Sequence, residues 1–132
     1  MMFRLERIFP KYTLLTMTTA HHFRGKHYLA SFKHCQMDLR DLSRIKKGME
    51  EAITESGATI LTYKDHTFEG DGYTVFFVLS ESHCSLHTYP EYGHLFMDYF
   101  TCGDSCHVQT FHDKITQLFQ PRISEYQIIT RY

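Results

Sequence analysis

The fold of this chain is decided by residues 73–101, which read YTVFFVLSESHCSLHTYPEYGHLFMDYFT. Residues 73–79 are apolar enough for a central strand, and residues 85–88 and 93–101 continue as short strands around a turn at Pro90. The connections between these strands are too short for parallel crossovers, which need roughly a dozen residues or more. The stretch therefore predicts neighbouring strands that run antiparallel.

Two amphipathic helices are expected, one before and one after this stretch. The apolar residues of the first recur at steps of three and four and mark one face: Leu39, Leu42, Ile45, Met49, Ala52 and Ile53. Asp38 is the expected N-cap of this helix, and Gly57 suits the left-handed position just past its end. Residues 107–119 show the same helical spacing.

Further strand candidates are residues 26–32, 59–63 and 126–132. Together these segments predict an α+β fold, with an antiparallel β-sheet and helices packed on one face as a two-layer sandwich. The other face of such a sheet is left uncovered. The pattern therefore favours a homodimer formed through that face.

The composition limits the partners of the chain. Its 132 residues suit one compact domain, predicted at residues 25–132 after an N-terminal extension at residues 1–24. The 14 basic residues are balanced by 15 acidic ones, so there is no electrostatic footprint for nucleic acid or for an anionic membrane surface. The apolar run at residues 12–17 is too short for a signal segment or a membrane span. A small molecule or a second copy is the expected partner.

Cysteine and histidine usage indicates the compartment and bears on metal binding. The four cysteines form no C-x-x-C pair, and a chain with this large an apolar fraction has no need of disulfide bonds. We therefore expect reduced thiols in the cytoplasm. The ten histidines show neither H-E-x-x-H nor zinc-finger spacing, so no metal is expected.

The residue types that carry chemistry are concentrated at residues 80–92, SESHCSLHTYPEY, and at residues 100–104, FTCGD. They place hydroxyls, imidazoles and a thiol close together at the end of an apolar strand. Such a group could support nucleophilic chemistry, because a serine or cysteine needs a neighbouring base to become reactive. Spacing alone leaves this open, since histidine and serine near a turn are common.

The run SESHCSLHTYPEYG followed by FTCGD resembles the prokaryotic S-adenosylmethionine decarboxylase proenzymes. The similarity extends from about Gly25 to about Asp104 and includes GKH at residues 25–27 and ESGATI at residues 55–60. The resemblance implies a pyruvoyl-dependent decarboxylase that matures by cutting itself and supplies decarboxylated S-adenosylmethionine for spermidine synthesis.

The resemblance also implies how the cofactor is made. Ser82 would attack the carbonyl carbon of Glu81 and convert the peptide bond into an ester. Elimination would divide the chain into residues 1–81 and 82–132, and hydrolysis would leave a pyruvoyl group in place of Ser82. His87 matches the family histidine that assists processing, by removing the α-proton of Ser82.

Decarboxylation leaves two electrons on the substrate carbon, which no ordinary side chain accepts. The pyruvoyl cofactor that the resemblance implies would hold the substrate amine as a Schiff base and supply a sink for this charge. Cys102 matches the family acid that returns a proton to the carbon. Because such a thiol must stay protonated until then, we expect Cys102 to be partly buried.

The loop before the cleavage strand departs from the family pattern. Phe68 is retained, and an aromatic ring here suits stacking on adenine. Glu91 matches an acidic position whose expected role is contact with the substrate or the neighbouring strands. Thr74 replaces a serine linked to processing; it keeps a hydroxyl but is stiffer at χ1, so slower processing is expected.

Two alternatives stay open at this point. Asp65 adds a carboxylate to this loop, either as a solvated residue or as the partner of a cationic side chain. In the second case the same scaffold would decarboxylate L-ornithine or L-arginine. The other alternative is a non-catalytic paralogue that binds an active partner, against which the joint presence of Ser82, His87 and Cys102 argues.

Overall fold

The computed structural model describes residues 23–102, 104 and 106–132. Most of the predicted N-terminal extension therefore lies outside the described residues. The elements follow one another as β1 (Gly25–Cys35), α1 (Leu42–Glu55), β2 (Ile60–Thr67), β3 (Tyr73–Leu79), β4 (Ser82–Tyr89), β5 (His94–Thr101), α2 (Val108–Phe119) and β6 (Pro121–Arg131).

All six strands form one sheet in the order β2-β3-β4-β5-β1-β6. Every neighbouring pair is antiparallel, as the short connections predicted. The strands β3, β4 and β5 lie side by side because each follows the last through a tight turn. The first strand returns to pair with β5, and the last strand, β6, then pairs with β1.

Both helices pack on one face of the sheet. Alternate strand residues point toward them and are fully or almost fully buried, among them Tyr28, Phe32, Val75, Phe77, Leu86 and Leu95. The helices contribute the other half of the core, including Ile45, Met49, Ile53, Phe111, Ile115 and Phe119. This arrangement confirms the predicted two-layer α+β sandwich.

The start of α1 differs from the prediction. Asp41, not Asp38, is the N-cap, and its carboxylate accepts a hydrogen bond from the Arg44 backbone N–H at 3.2 Å. Asp38 instead closes a preceding turn by accepting from the Arg40 backbone N–H at 2.9 Å. Both aspartates are competent caps, and the turn geometry chooses between them. The left-handed conformation expected of Gly57 is confirmed, with φ at 101°.

The face of the sheet opposite the helices, here called the open face, carries large apolar side chains. They are between 37% and 50% exposed: Leu29, Phe76, Val78, Tyr89, Phe96 and Ile123. A broad concavity of about 950 Å³ lies on this face. Among the described residues, no helix is long and apolar enough to cross a membrane.

Candidate functional site

The peptide bond between Glu81 and Ser82 lies at the turn from β3 into β4. Its carbonyl oxygen, on Glu81, accepts two hydrogen bonds from Cys102: one from the backbone N–H at 3.1 Å and one from the thiol at 2.8 Å. The Glu81 carboxylate accepts from the Thr59 backbone N–H at 3.1 Å, which anchors the turn. Two donors aimed at one carbonyl polarise it toward nucleophilic attack.

The backbone at Ser82 is strained. Its φ is 154°, a value that residues with a Cβ rarely adopt. Such conformations cost about 1–3 kcal/mol and persist where the surrounding structure holds them. Here the β4 ladder pairs Ser82 with Thr101 on one side and Leu79 on the other, so the strain is stored beside the Glu81–Ser82 bond.

Cys102 is exposed in the single chain, so the expectation of a partly buried thiol was wrong for this chain alone. The residue follows directly after β5, where the chain leaves the sheet, and the helices do not cover it. None of the four cysteines is in a disulfide.

A second set of polar side chains lies on the open face next to Ser82. The Ser82 hydroxyl lies 3.1 Å from Nδ1 of His83, whose Nε2 lies 3.3 Å from Oδ2 of Asp98. The same carboxylate oxygen is 3.1 Å from Nε2 of His27, and its other oxygen accepts from Ser85. Three adjacent strands, β1, β4 and β5, thus bring these side chains together.

Asp98 is held in its charged form. Burial acts to raise the pKa of this carboxyl, but hydrogen bonds from Ser85, His27 and His83 outweigh it, so the pKa lies below its ordinary value. The ligand atoms of His27, His83 and Asp98 lie within 4.8 Å of one another, which is the one metal-like grouping among the described residues. Hydrogen bonds between its members account for the grouping.

His87 lies in a different group, toward the far end of β4. Its Nδ1 bonds the Thr74 hydroxyl across the β3–β4 pair. The rings of Phe68 and Tyr89 lie 5.7 and 4.7 Å from the His87 ring, centre to centre. A cleft of about 470 Å³ runs between the β2–β3 loop and the β4–β5 turn, and Phe68, His87, Tyr89 and Glu91 all line it. The structure therefore brings together His87, Thr74, Phe68 and Glu91, here called the His87 group.

Asp65 is not part of this group. Its carboxylate accepts a 2.7 Å hydrogen bond from the hydroxyl of Tyr73, a residue buried on the helix side of the sheet. In the β2–β3 register Asp65 pairs with Val75, which is also buried, whereas its neighbour His66 pairs with Thr74. Asp65 therefore faces the helix side, away from the cleft beside His87.

The two groups do not meet within one chain. Ser82 and His87 are five residues apart on the same strand, which corresponds to about 17 Å. Proton transfer requires the donor and acceptor atoms to lie about 3 Å apart. His87 therefore cannot reach the α-proton of Ser82 in its own chain, although both groups lie on the open face.

Sequence reasoning missed His83, Asp98 and His27. A signal for Asp98 was present, because it is the one charged residue in the apolar strand 94–101. A carboxylate there requires partners when half-buried. Which partners it finds depends on the pairing of β5 with β1 and β4, which local patterns do not reveal.

Comparison with known proteins agrees with this geometry. A family model described as S-adenosylmethionine decarboxylase matches residues 26–132. The S-adenosylmethionine decarboxylase proenzyme of Thermosipho melanesiensis is 43% identical over 81 residues, which are 61% of this chain and 62% of that relative. The proenzyme of the same name from Methanococcus maripaludis is 37% identical over 108 residues, 81% of this chain and 88% of that one.

A solved structure shows the same architecture. The crystal structure of the adenosylmethionine decarboxylase from Aquifex aeolicus aligns with a TM-score of 0.71 at 28% identity, covering 80% of this chain and 88% of that one. The chain spans 62% of the length of the Thermosipho relative, so less than two thirds of it is matched. The family match nevertheless covers nearly all of the described residues, and the chain belongs to the S-adenosylmethionine decarboxylase family.

Proposed function

We propose that this chain is the proenzyme of a pyruvoyl-dependent S-adenosylmethionine decarboxylase that cuts itself between Glu81 and Ser82. The observation that carries the proposal is the pair of hydrogen bonds from Cys102 to the Glu81 carbonyl oxygen, directly beside the Ser82 hydroxyl. An acyl shift from nitrogen to oxygen needs this combination of a nucleophile and a polarised carbonyl.

The steps follow from the residues present. The Ser82 oxygen attacks the Glu81 carbonyl carbon, and the two Cys102 donors stabilise the negative charge that develops on its oxygen. Departure of the Ser82 nitrogen leaves an ester. Loss of the Ser82 α-proton then expels residues 1–81 as a carboxylate, and hydrolysis of the resulting dehydroalanine releases ammonia and leaves the pyruvoyl group.

The residues around Ser82 fit this cofactor, because the chain itself provides the serine, the carbonyl and the donors from which it forms. The group supplies the electron sink for decarboxylation. Cys102 is the residue best placed to hold a proton near the reacting carbon, since its thiol lies at the cleavage point.

A second copy of the chain is required to complete the site. The open face carries exposed apolar side chains that no described residue covers, and two such faces stacked about a two-fold axis would bury them. If this axis lies in the plane between the two sheets and is perpendicular to β4, then β4 of one copy runs opposite to β4 of the other. The His87 group of one copy then lies over Ser82 of the other. We therefore propose a homodimer with two composite sites.

The substrate proposal rests on the cleft beside His87. Phe68 is 45% exposed and Tyr89 is 37% exposed, so aromatic faces are available to adenine and to the sulfonium of S-adenosylmethionine. Asp65 faces the helix side and does not offer a carboxylate to this cleft. No feature of residues 23–102, 104 and 106–132, and neither relative named above, favours L-ornithine, L-arginine or a non-catalytic role. We place the enzyme in the cytoplasm.

Intact-mass spectrometry and carbon dioxide release test the proposal together. Purified protein is expected to consist of two fragments divided after Glu81, with a pyruvoyl group at the start of the second. It should release carbon dioxide from S-adenosylmethionine but not from ornithine or arginine. The Ser82→Ala chain is the matched control and should remain whole. A wild-type chain that stays uncut after long incubation would contradict the proposal.

A further inference from the structure

We propose that His83, oriented by Asp98, is the general base that activates Ser82 for the acyl shift. The inference rests on the self-cleavage proposed above and assigns the base for its first step. His83 contacts the reacting hydroxyl and is therefore catalytic, whereas Asp98 acts through His83 as a positioning residue.

The geometry is that of a serine–histidine–aspartate relay. The Ser82 hydroxyl lies 3.1 Å from His83 Nδ1, and His83 Nε2 lies 3.3 Å from the Asp98 carboxylate. One tautomer satisfies both contacts: Nε2 carries the proton and donates to Asp98, and Nδ1 offers its lone pair to the hydroxyl. This is the arrangement by which a carboxylate orients an imidazole toward a serine nucleophile.

The proton balance of the step is complete without any further reactant. His83 Nδ1 takes the hydroxyl proton of Ser82 as its oxygen bonds to the Glu81 carbonyl carbon. The charge that forms on the carbonyl oxygen faces the two Cys102 donors. The bond from the Glu81 carbon to the Ser82 nitrogen then breaks, and His83 returns its proton to that nitrogen. The products are an ester and an amine.

Neighbouring groups hold the relay in place. The His83 ring stacks on Phe76 at 5.4 Å with an interplanar angle of 15°, and the Phe100 ring lies 5.9 Å away. Across the sheet, His27 shares the Asp98 carboxylate and lies 3.4 Å from the Arg131 guanidinium. The charged and titratable groups that face His83 from β1 and β5 are thus His27 and Asp98, with Arg131 of β6 behind His27.

His87 cannot serve as this base in the same chain, because it is about 17 Å from Ser82 along β4. The two histidines therefore divide the work. His83 acts in ester formation within its own chain, and His87 from the second copy acts in the later loss of the α-proton. Variants of the two histidines are therefore expected to stop self-cleavage at different steps.

The test follows cleavage of the full chain from the moment of its synthesis in a cell-free translation mixture. His83→Gln keeps a polar side chain of similar size that cannot take up a proton, and it is expected to slow cleavage by about 10²-fold or more. Asp98→Asn should also slow cleavage, and Asp98→Glu, which restores a carboxylate, should recover part of the rate. His94→Gln is the matched control on β5 and should cleave at the wild-type rate.

Hydroxylamine identifies the arrested step, because it cuts esters but not peptide bonds. Uncut His83→Gln chains are expected to resist it, whereas His87→Ala chains, arrested after ester formation, should release residues 82–132. Added imidazole is expected to restore cleavage of His83→Ala, which also demonstrates that this variant is folded.

Two results would overturn the inference while leaving self-cleavage intact: wild-type cleavage rates in His83→Gln, or hydroxylamine fragments from its uncut chains. An uncut wild-type chain would instead overturn the proposed function, and this inference with it.

Discussion

A mixed dimer of two inactive variants is expected to regain cleavage, because each copy supplies what the other lacks. Ser82→Ala removes the proposed nucleophile, and His87→Ala removes the imidazole that we propose acts on the α-proton. Each variant alone should remain uncut. In a mixed dimer, the Ser82 of the His87→Ala copy meets the intact His87 of the Ser82→Ala copy, so one of the two composite sites is complete.

The size of the effect follows from the two-fold arrangement. Ser82 and His87 of one chain are about 17 Å apart along β4, far beyond proton-transfer distance, so each site of the proposed dimer draws on both copies. Random mixing makes about half of the dimers mixed, and about a quarter of all sites are then intact. The same fraction of wild-type carbon dioxide release is expected.

Coexpression of the two variants with different affinity tags allows the mixed dimer to be isolated by two successive purifications. Intact-mass spectrometry should find every His87→Ala chain cut after Glu81 and every Ser82→Ala chain whole. Mixed dimers in which both chains stay whole, beside a wild-type protein that cleaves, would refute the composite site. So would normal cleavage of His87→Ala alone.

Two further predictions concern the open face and the core. Phe96→Asp places a charge on the open face, so light scattering should find monomers and little of the protein should be cleaved. The control is Ile128→Asp, a similarly exposed position on the helix side, which should leave the dimer intact. A dimeric Phe96→Asp protein would contradict the proposed interface. Burial lowers the pKa of His112, whose Nδ1 is hydrogen-bonded to the Tyr28 hydroxyl at 2.7 Å, so the unfolded chain binds more protons in acid. The free energy of unfolding should therefore fall by up to about 1.4 kcal/mol per pH unit as the pH drops from about 6.5 through the native pKa. Urea titrations at a series of pH values should show that the free energy of unfolding of His112→Gln falls less steeply as the pH drops. An unchanged slope would mean that other groups cause the acid sensitivity.

The position of Asp65 illustrates how a single irregularity limits inference from sequence. The β2–β3 register shifts between Ile60 and Thr62, where β2 carries an extra residue. Without this bulge, Asp65 would pair with Thr74 and lie on the open face near His87. With it, Asp65 pairs with Val75 and bonds Tyr73 on the helix side. One inserted residue moves every later side chain of a strand to the other face, and no local pattern marks it.

The hydrogen-bonded side chains around Ser82 are a second feature that the sequence alone could not predict. His27, His83 and Asp98 are separated by up to 71 residues along the chain, and they meet only because β1 and β4 both pair with β5. The contact between Cys102 and the Glu81 carbonyl likewise depends on where β5 ends relative to the β3–β4 turn. The motif at residues 80–92 marked the segment but not these partners.

Local sequence patterns predicted the two helices, the antiparallel connections and the family, because alternation, helical spacing and short turns are local properties of the chain. The ends of some elements were wrong, as in the last strand, which spans Pro121–Arg131 and not residues 126–132. The sequence also marked Ser82, His87 and Cys102 as the candidate site residues, since they keep the spacing of the family motif. Contacts between residues far apart in the sequence depended on the tertiary structure. Strand register brings Asp98 and His27 to His83 and places Cys102 against the Glu81 carbonyl, because register depends on turns and bulges that act across the whole sheet.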